Sequence, residues 1–302
     1  MELEGCLGLY PGAGGPRLVL SVRSYAQACV DAFAKDLGIG SVGPTKNSTY
    51  ATWGAHGKEA QALLAVALPY FVCKRAQAQA LVEYPIAATR GTQLTTAQKA
   101  ERLRLEALVC KLNEKGPKEP RLDWTGHAQD WIDWAKRAPL TERADLLAWA
   151  IEWEGTIHVR EKSTAGAARG VSHGVGIGVV QSEHRRCLLE IIQALAGGVG
   201  SIGSTGRMVS LPGHAKMLSW WESRIRETKE LVGALVPYLS CKRRLAELVV
   251  AFPEGPAPPV RTPLEVFKLR ERLAEESKRI NAKVGATPER SGLTPAQTKA
   301  IL

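Results

Sequence analysis

The sequence has no long hydrophobic run: nowhere in its 302 residues do apolar side chains approach the roughly 18 in succession that a membrane span needs. A secretory leader is not expected either. Met1-Glu2-Leu3-Glu4 places acids where a secretory signal carries bases, so a secreted or membrane-spanning product is not expected. Cysteine is sparse and unpaired in spacing: Cys6, Cys29, Cys73, Cys110, Cys187 and Cys241 form no C-x-x-C pair, and no histidine stands at zinc-ligand distance from them. This pattern excludes a disulfide scaffold and a zinc ribbon, and reads as reduced, mostly buried thiols in an intracellular protein. Acidic residues are in deficit, 30 against 40 Lys and Arg, and the resulting charge of +10 favours a polyanionic partner. His173-Gly174-Val175-Gly176-Ile177-Gly178 lacks both the strand-then-helix order and the Gly-Lys-Ser/Thr ending of a phosphate loop, which excludes a nucleotide site there. What is present is apolar material, 45% of residues against 23% charged, enough for a core in each of about two domains.

An internal repeat organises the chain. Leu68-Pro69-Tyr70-Phe71-Val72-Cys73-Lys74-Arg75 returns as Val236-Pro237-Tyr238-Leu239-Ser240-Cys241-Lys242-Arg243, and the same offset carries Arg102, Arg104, Leu105 and Asn113 onto Arg270, Arg272, Leu273 and Asn281. Upstream, Leu37-Gly38-Ile39-Gly40-Ser41-Val42 matches Gly197-Gly198-Val199-Gly200-Ser201-Ile202, and Glu4-Gly5-Cys6-Leu7 matches Glu154-Gly155-Thr156-Ile157. Block order is kept while the spacing grows, so the second copy carries loop insertions. The expected division is a first repeat over 1–114, a linker over 115–139, a second repeat over 140–283 and a tail over 284–302. Lys115-Gly116-Pro117-Lys118-Glu119-Pro120 opens the linker, and Trp131 and Trp134 share a helix face suited to packing the connecting segment onto a domain.

Each copy shows the same succession of signals. Strand character falls at Arg17–Val22, Ile157–Lys162 and Val175–Val180. An amphipathic helix follows, with Cys29, Val30 and Phe33 in one copy and Leu188, Ile191, Ile192 and Leu195 in the other, and the Gly38/Gly40 and Gly198/Gly200 pairs end it. A second helix closes at Pro-Tyr, and a third begins at the Lys-Arg pair. The fold class is therefore α+β: a tandem of αββαββα units, each an antiparallel sheet with helices on one face and the other face open to a ligand.

Leu147-Ala148-Trp149-Ala150-Ile151-Glu152-Trp153-Glu154-Gly155 resembles the LAGLIDADG motif of homing endonucleases, with Glu at both acidic places, and Met1-Glu2-Leu3-Glu4-Gly5 resembles the motif's last five residues. The Gly-x-Gly turns and the Pro-Tyr…Lys-Arg segments stand where that family has them. The resemblance implies a pseudo-twofold, single-chain nuclease whose sheets form a DNA-binding saddle. It further implies catalytic assistance from Lys74 and Lys242, and a water-orienting Gln181 with Arg185 close by. The first copy departs from this pattern: aligned on the helix, Val22 stands where Gln181 does and Ala26 where Arg185 does. Trp149 and Trp153 are bulky where the motif prefers small residues, and the first motif helix is expected to be truncated.

The chemistry of the motif can also be argued from its residues. Glu154 ends a helix, where unpaired carbonyls disfavour an acid unless a cation is near, and hard carboxylate oxygens suit Mg²⁺. If the two motif helices pair, Glu4 and Glu154 are brought together as metal ligands for phosphodiester hydrolysis. In Thr156–Lys162, His158, Arg160 and Lys162 alternate with Ile157 and Val159, as a strand reading the DNA major groove would require. Arg17, Arg23, Lys46, Asn47, Arg169, Arg207 and Lys216 fall in comparable strand or loop regions. Because the two copies differ at these positions, an asymmetric site in double-stranded DNA is expected. The expected protein is a monomeric, intron-encoded, metal-dependent endonuclease of an organelle (mitochondrion or chloroplast), a phage or a bacterial cytoplasm, with no membrane partner. A nickase, or a non-catalytic maturase that binds intron RNA, is the alternative.

Overall fold

A computed structural model describes residues 5–10, 16–24, 27–44, 50–87, 93–113, 122–163, 171–205, 216–255 and 262–284. Glu4, Lys46, Asn47, Arg169 and Arg207 lie outside the described residues. The chain divides into two compact units, Met1–Asp130 with Ser182–Leu188 and Met208–Lys216, and Trp131–Gln181 with Leu189–Arg207 and Met217–Leu302. Among the described residues no helix is long and apolar enough to cross a membrane.

The first copy runs β1 (Gly5–Tyr10), β2 (Arg17–Ser24), α1 (Gln27–Leu37), β3 (Ser41–Pro44), β4 (Ala51–His56), α2 (Gly57–Ala67), α3 (Arg75–Val82) and α4 (Thr96–Asn113). After α5 (Leu122–Arg137), the second copy runs α6 (Leu140–Glu154), β5 (Gly155–Ser163), β6 (Val171–Ser182), α7 (Arg186–Leu195), β7 (Ser201–Ser204), β8 (Met217–Glu222), α8 (Ile225–Leu235), α9 (Arg243–Val250) and α10 (Leu264–Val284). Two four-stranded sheets result, ordered β1-β2-β4-β3 and β5-β6-β8-β7, with antiparallel pairing throughout the strand pairs resolved in register. The α+β class and the repeated unit expected from sequence are those observed. The segment after Lys-Arg is two helices in each copy rather than one, broken at Tyr84-Pro85 and Phe252-Pro253, where proline has no N–H to continue a helix.

Alternation decides which face each sheet buries. Leu18, Leu20 and Val22 on β2 and Trp53 and Ala55 on β4 are buried with Val30, Leu64 and Leu81 of the covering helices. Ile157, Val159, Val175, Ile177, Val179, Leu218 and Trp220 do the same in the second sheet, under Ile192, Val232, Leu235 and Leu245.

Two devices recur in both copies. Trp53 Nε1 donates to Ile39 O at 2.9 Å, and Trp220 Nε1 donates to Val199 O at 2.9 Å, so each core indole has its polar atom satisfied by the turn before the sheet's edge strand. That turn requires glycine. Gly40 and Gly200 have φ of 78° and 84°, and a Cβ on either would lie 2.5 Å from the indole nitrogen. In the second device, Arg102 Nε donates to Pro85 O at 2.8 Å with its guanidinium 5.0 Å over the Tyr84 ring, while Arg270 Nε donates to Pro253 O at 3.1 Å and lies 5.0 Å over Phe252. The repeated arginines are thus staples across the helix break.

Strand register corrects one alignment. Gly5 opposes Val22 as Gly155 opposes Val179, so the first-copy counterpart of Gln181 is Ser24, two residues beyond Val22. Aligning on the helix failed because a short 3-10 turn, Glu183–Arg185, is inserted before α7. Cys6, Cys73, Cys110 and Cys187 are free thiols as expected, but of these only Cys73 is buried and Cys6 and Cys110 are exposed, while Cys29 and Cys241 are disulfide-bonded, against expectation. Within the expected linker, α5 is helical, and Trp131 and Trp134 pack edge to face at 5.5 Å.

Candidate active site and nucleic-acid face

The motif segment forms α6, whose buried side chains Ala144, Leu147, Ala148, Ala150 and Ile151 recur at three- and four-residue spacing and seat the helix on its unit. Glu154 is its last residue. Gly155 caps the helix through its N–H to Ile151 O, but at φ −88° it is extended rather than left-handed. Glycine is needed there because a Cβ would lie 2.6 Å from Ile151 Cα as the helix passes directly into β5.

Three side chains organise this helix end. Lys242 donates from Nζ to the carbonyls of Ile151, Glu152 (2.6 Å) and Gly155 (2.8 Å), so an ammonium sits where the helix dipole is negative. Glu152 Oε1 accepts the backbone N–H groups of Ser240 at 2.6 Å and Lys242 at 3.1 Å, tying the Lys-Arg segment to the same turn. Gln181, 5% exposed, donates from Nε2 to Glu154 Oε2 at 3.0 Å. Register explains the last contact: β6 pairs with β5 from the first residue after the helix, which carries Gln181 past the ladder to the carboxylate.

Lys74, 8% exposed, precedes α3 with φ −102° and ψ 10°, nearly the backbone of Lys242 before α9 at −95° and 3°. The two lysines are equivalent by structure as well as by sequence. Arg185 ends the 3-10 turn after β6 and is half-buried. Trp149 and Trp153 stack against each other at 6.4 Å with 13° between planes, which occupies part of their bulk within one helix face.

Some of the basic candidates stand on the open faces. Arg17 and Arg23 are exposed on β2, on the face opposite Leu18, Leu20 and Val22. Arg160 is exposed on β5, and Lys162 lies on the same strand. His158 faces the same way but is 9% exposed, its ring stacked on Trp221 at 5.0 Å. Lys216 is exposed and 3.6 Å from Glu183. Sequence reasoning missed Glu152 and Trp221. The signal for Glu152 was its place as the motif's other acid. For Trp221 it was the adjacent pair Trp220-Trp221, only the first of which has a counterpart in Trp53.

The carboxylate of Glu154 is a hard oxygen donor of the kind that holds Mg²⁺ or Ca²⁺, and Gln181 fixes its orientation without adding charge. With Lys242 engaged by carbonyls, the turn presents a carboxylate and an amide, a pair able to ligate a cation and to hydrogen-bond a water.

No family model matches the chain, and no curated protein matches it. Solved structures do resemble it. The LAGLIDADG meganuclease I-AabMI bound to uncleaved DNA superposes with a TM-score of 0.61 over 97% of this chain and 96% of that one, at 12% identity. I-SmaMI bound to uncleavable DNA gives 0.58 over 97% and 95%, at 13% identity. I-SmaMI bound to its uncleaved target in the presence of calcium ions gives 0.56 over 94% and 95%, at 14% identity. At such identities the likeness establishes the fold.

Proposed function

We propose that this chain, which has the fold of the single-chain LAGLIDADG endonucleases, is a metal-dependent DNA endonuclease that cuts both strands of a long asymmetric site. The observation that carries the reading is the Glu154–Gln181 pair at the end of the motif helix, in a unit whose sheet exposes Arg160 on the face away from its helices. The three solved structures of like fold described above are complexes with DNA, one of them with calcium. A net charge of +10 suits the same ligand.

Glu154 and Glu4 are the proposed ligands of a Mg²⁺ ion, which when bound supplies charge stabilisation at the phosphate and acidifies a water. Gln181 keeps the carboxylate of Glu154 in one orientation and offers its amide to the attacking water. Lys242 holds the end of the motif helix and lends positive potential beside it, and Lys74 is proposed for the same electrostatic role in the first copy. Arg185 adds a further charge after β6. Arg17, Arg23, Lys46, Asn47, His158, Arg160, Lys162, Arg169, Arg207 and Lys216 are the proposed DNA contacts.

Glu154→Gln tests the reading. Cleavage of a selected target in Mg²⁺ is expected to fall by roughly 100-fold or more, with binding in Ca²⁺ retained. Cleavage at the wild-type rate would remove Glu154 from the site. Ser24 in the place of Gln181 favours a second reading, a first copy that cuts its strand more slowly. An open-circular intermediate should then accumulate before linear plasmid; its absence would sink this reading alone.

A further inference from the structure

We infer that Trp221 is a positioning residue for sequence recognition, and that Arg160, propped on its ring, reads a guanine in the bound DNA. This rests on the DNA-binding reading above and commits it to one side chain and one base.

Three observations lead to it. The indole of Trp221 lies on the open face of its sheet, over the backbone of β6: a Cβ on Gly178 would lie 2.1 Å from its Cε3, and one on Gly176 would lie 2.6 Å from its Cζ2. The glycine alternation of β6, excluded as a phosphate loop, therefore makes room for a ring. On that ring rest two neighbours from β5: the His158 imidazole stacked at 5.0 Å and 27°, and the Arg160 guanidinium at 5.4 Å. Arg160 is exposed, and among the described residues its guanidinium makes no hydrogen bond or ion pair.

A ring face holds a guanidinium by its charge and consumes none of its five N–H donors. The side chain is thereby restrained while its donor fork stays free, which lowers the entropy lost on forming a two-point contact. A guanine, with O6 and N7 side by side in the major groove, is the base edge that matches such a fork. Among the described residues the first sheet has no such device, since Gly54 follows Trp53 where Trp221 follows Trp220. The guanine reader is thus confined to one half of the target.

The experiment is selection of bound sites from a randomised duplex library in Ca²⁺ with the full chain, followed by competition at each base pair. Arg160→Ala is expected to lose a guanine preference of roughly tenfold or more at one position and to leave the other positions unchanged. Trp221→Ala should weaken the preference at that same position, and Trp221→Phe should restore most of it. Thermal unfolding of each variant separates a folding defect from a recognition defect, and the aromatic variant keeps the test decisive if the alanine variant unfolds. Guanine preferences unmoved by Arg160→Ala, or a Trp221→Ala effect at other positions only, would overturn the inference and leave the endonuclease reading standing. A wild-type chain that selects no sequence would overturn both.

Discussion

Lys242 commits its ammonium hydrogens to three carbonyls at the end of α6, and this makes it a structural residue whatever else it does. Lys242→Met leaves those carbonyls without their cation and should cost about 2 kcal/mol of stability, measured by urea unfolding of the DNA-free protein. A stability unchanged by the substitution would contradict the geometry. Glu222, 3% exposed, gives a pH prediction. Burial pushes its carboxyl up, but the Arg224 guanidinium at 2.9 Å and the backbone N–H groups of Arg224 and Ser223 outweigh this and hold it below its ordinary 4.5. A depressed carboxyl stabilises the fold above its unfolded-state value, and that contribution is lost as pH falls through the folded one. The urea midpoint should therefore drop between neutral and acid pH, and by less in Glu222→Gln than in the wild type. At this scale the sequence was legible where a residue repeats. Lys74 and Lys242 stood out, as did Arg102 and Arg270. Glu152 was read only as part of a motif, because its partners are backbone N–H groups about 90 residues away, which no local pattern announces.

At the scale of elements, helices and strands were readable because alternation and three- to four-residue spacing translate directly into burial. β5 shows the success: Ile157 and Val159 are buried, and Arg160 is exposed, as the alternation required. It also shows the limit. His158 shares the open face with Arg160 yet is covered, because the side chain that covers it arrives from β8, 63 residues later in the chain. The helix-based alignment of Val22 with Gln181 failed for a related reason: an inserted turn shifts helix numbering while leaving the strand ladder intact. The glycine turns before β3 and β7 offer a measured contrast. Gly200→Ala combines a left-handed backbone with a Cβ 2.5 Å from Trp220 Nε1, and should destabilise by about 2 kcal/mol or more. Gly203→Ala, with nothing within 4 Å of its Cβ, should change stability by no more than about 0.5 kcal/mol. Equal effects in chemical denaturation would refute the role given to the turn.

For the whole molecule, the internal repeat was the most informative feature of the sequence, since it divided the chain before any element was assigned. The two copies keep one strand order but carry different residues on their open faces, so the excess of positive charge has no single location that composition could reveal. If that charge meets DNA, binding should weaken by roughly 10³-fold or more between about 50 and 200 mM salt, read from a titration series at fixed protein concentration. A flat salt response would count against a phosphate-dominated interface.

The indole-to-carbonyl and guanidinium-to-carbonyl anchors of both copies end on main-chain oxygen atoms rather than on other side chains. Such anchors impose no demand for matched mutation elsewhere, because every amino acid supplies the same acceptor. The scaffold is consequently insulated from whatever is inscribed on its outward strands. Each half is free to acquire its own vocabulary of contacts, and a chimera that exchanges only those outward letters should retain the architecture of its parent.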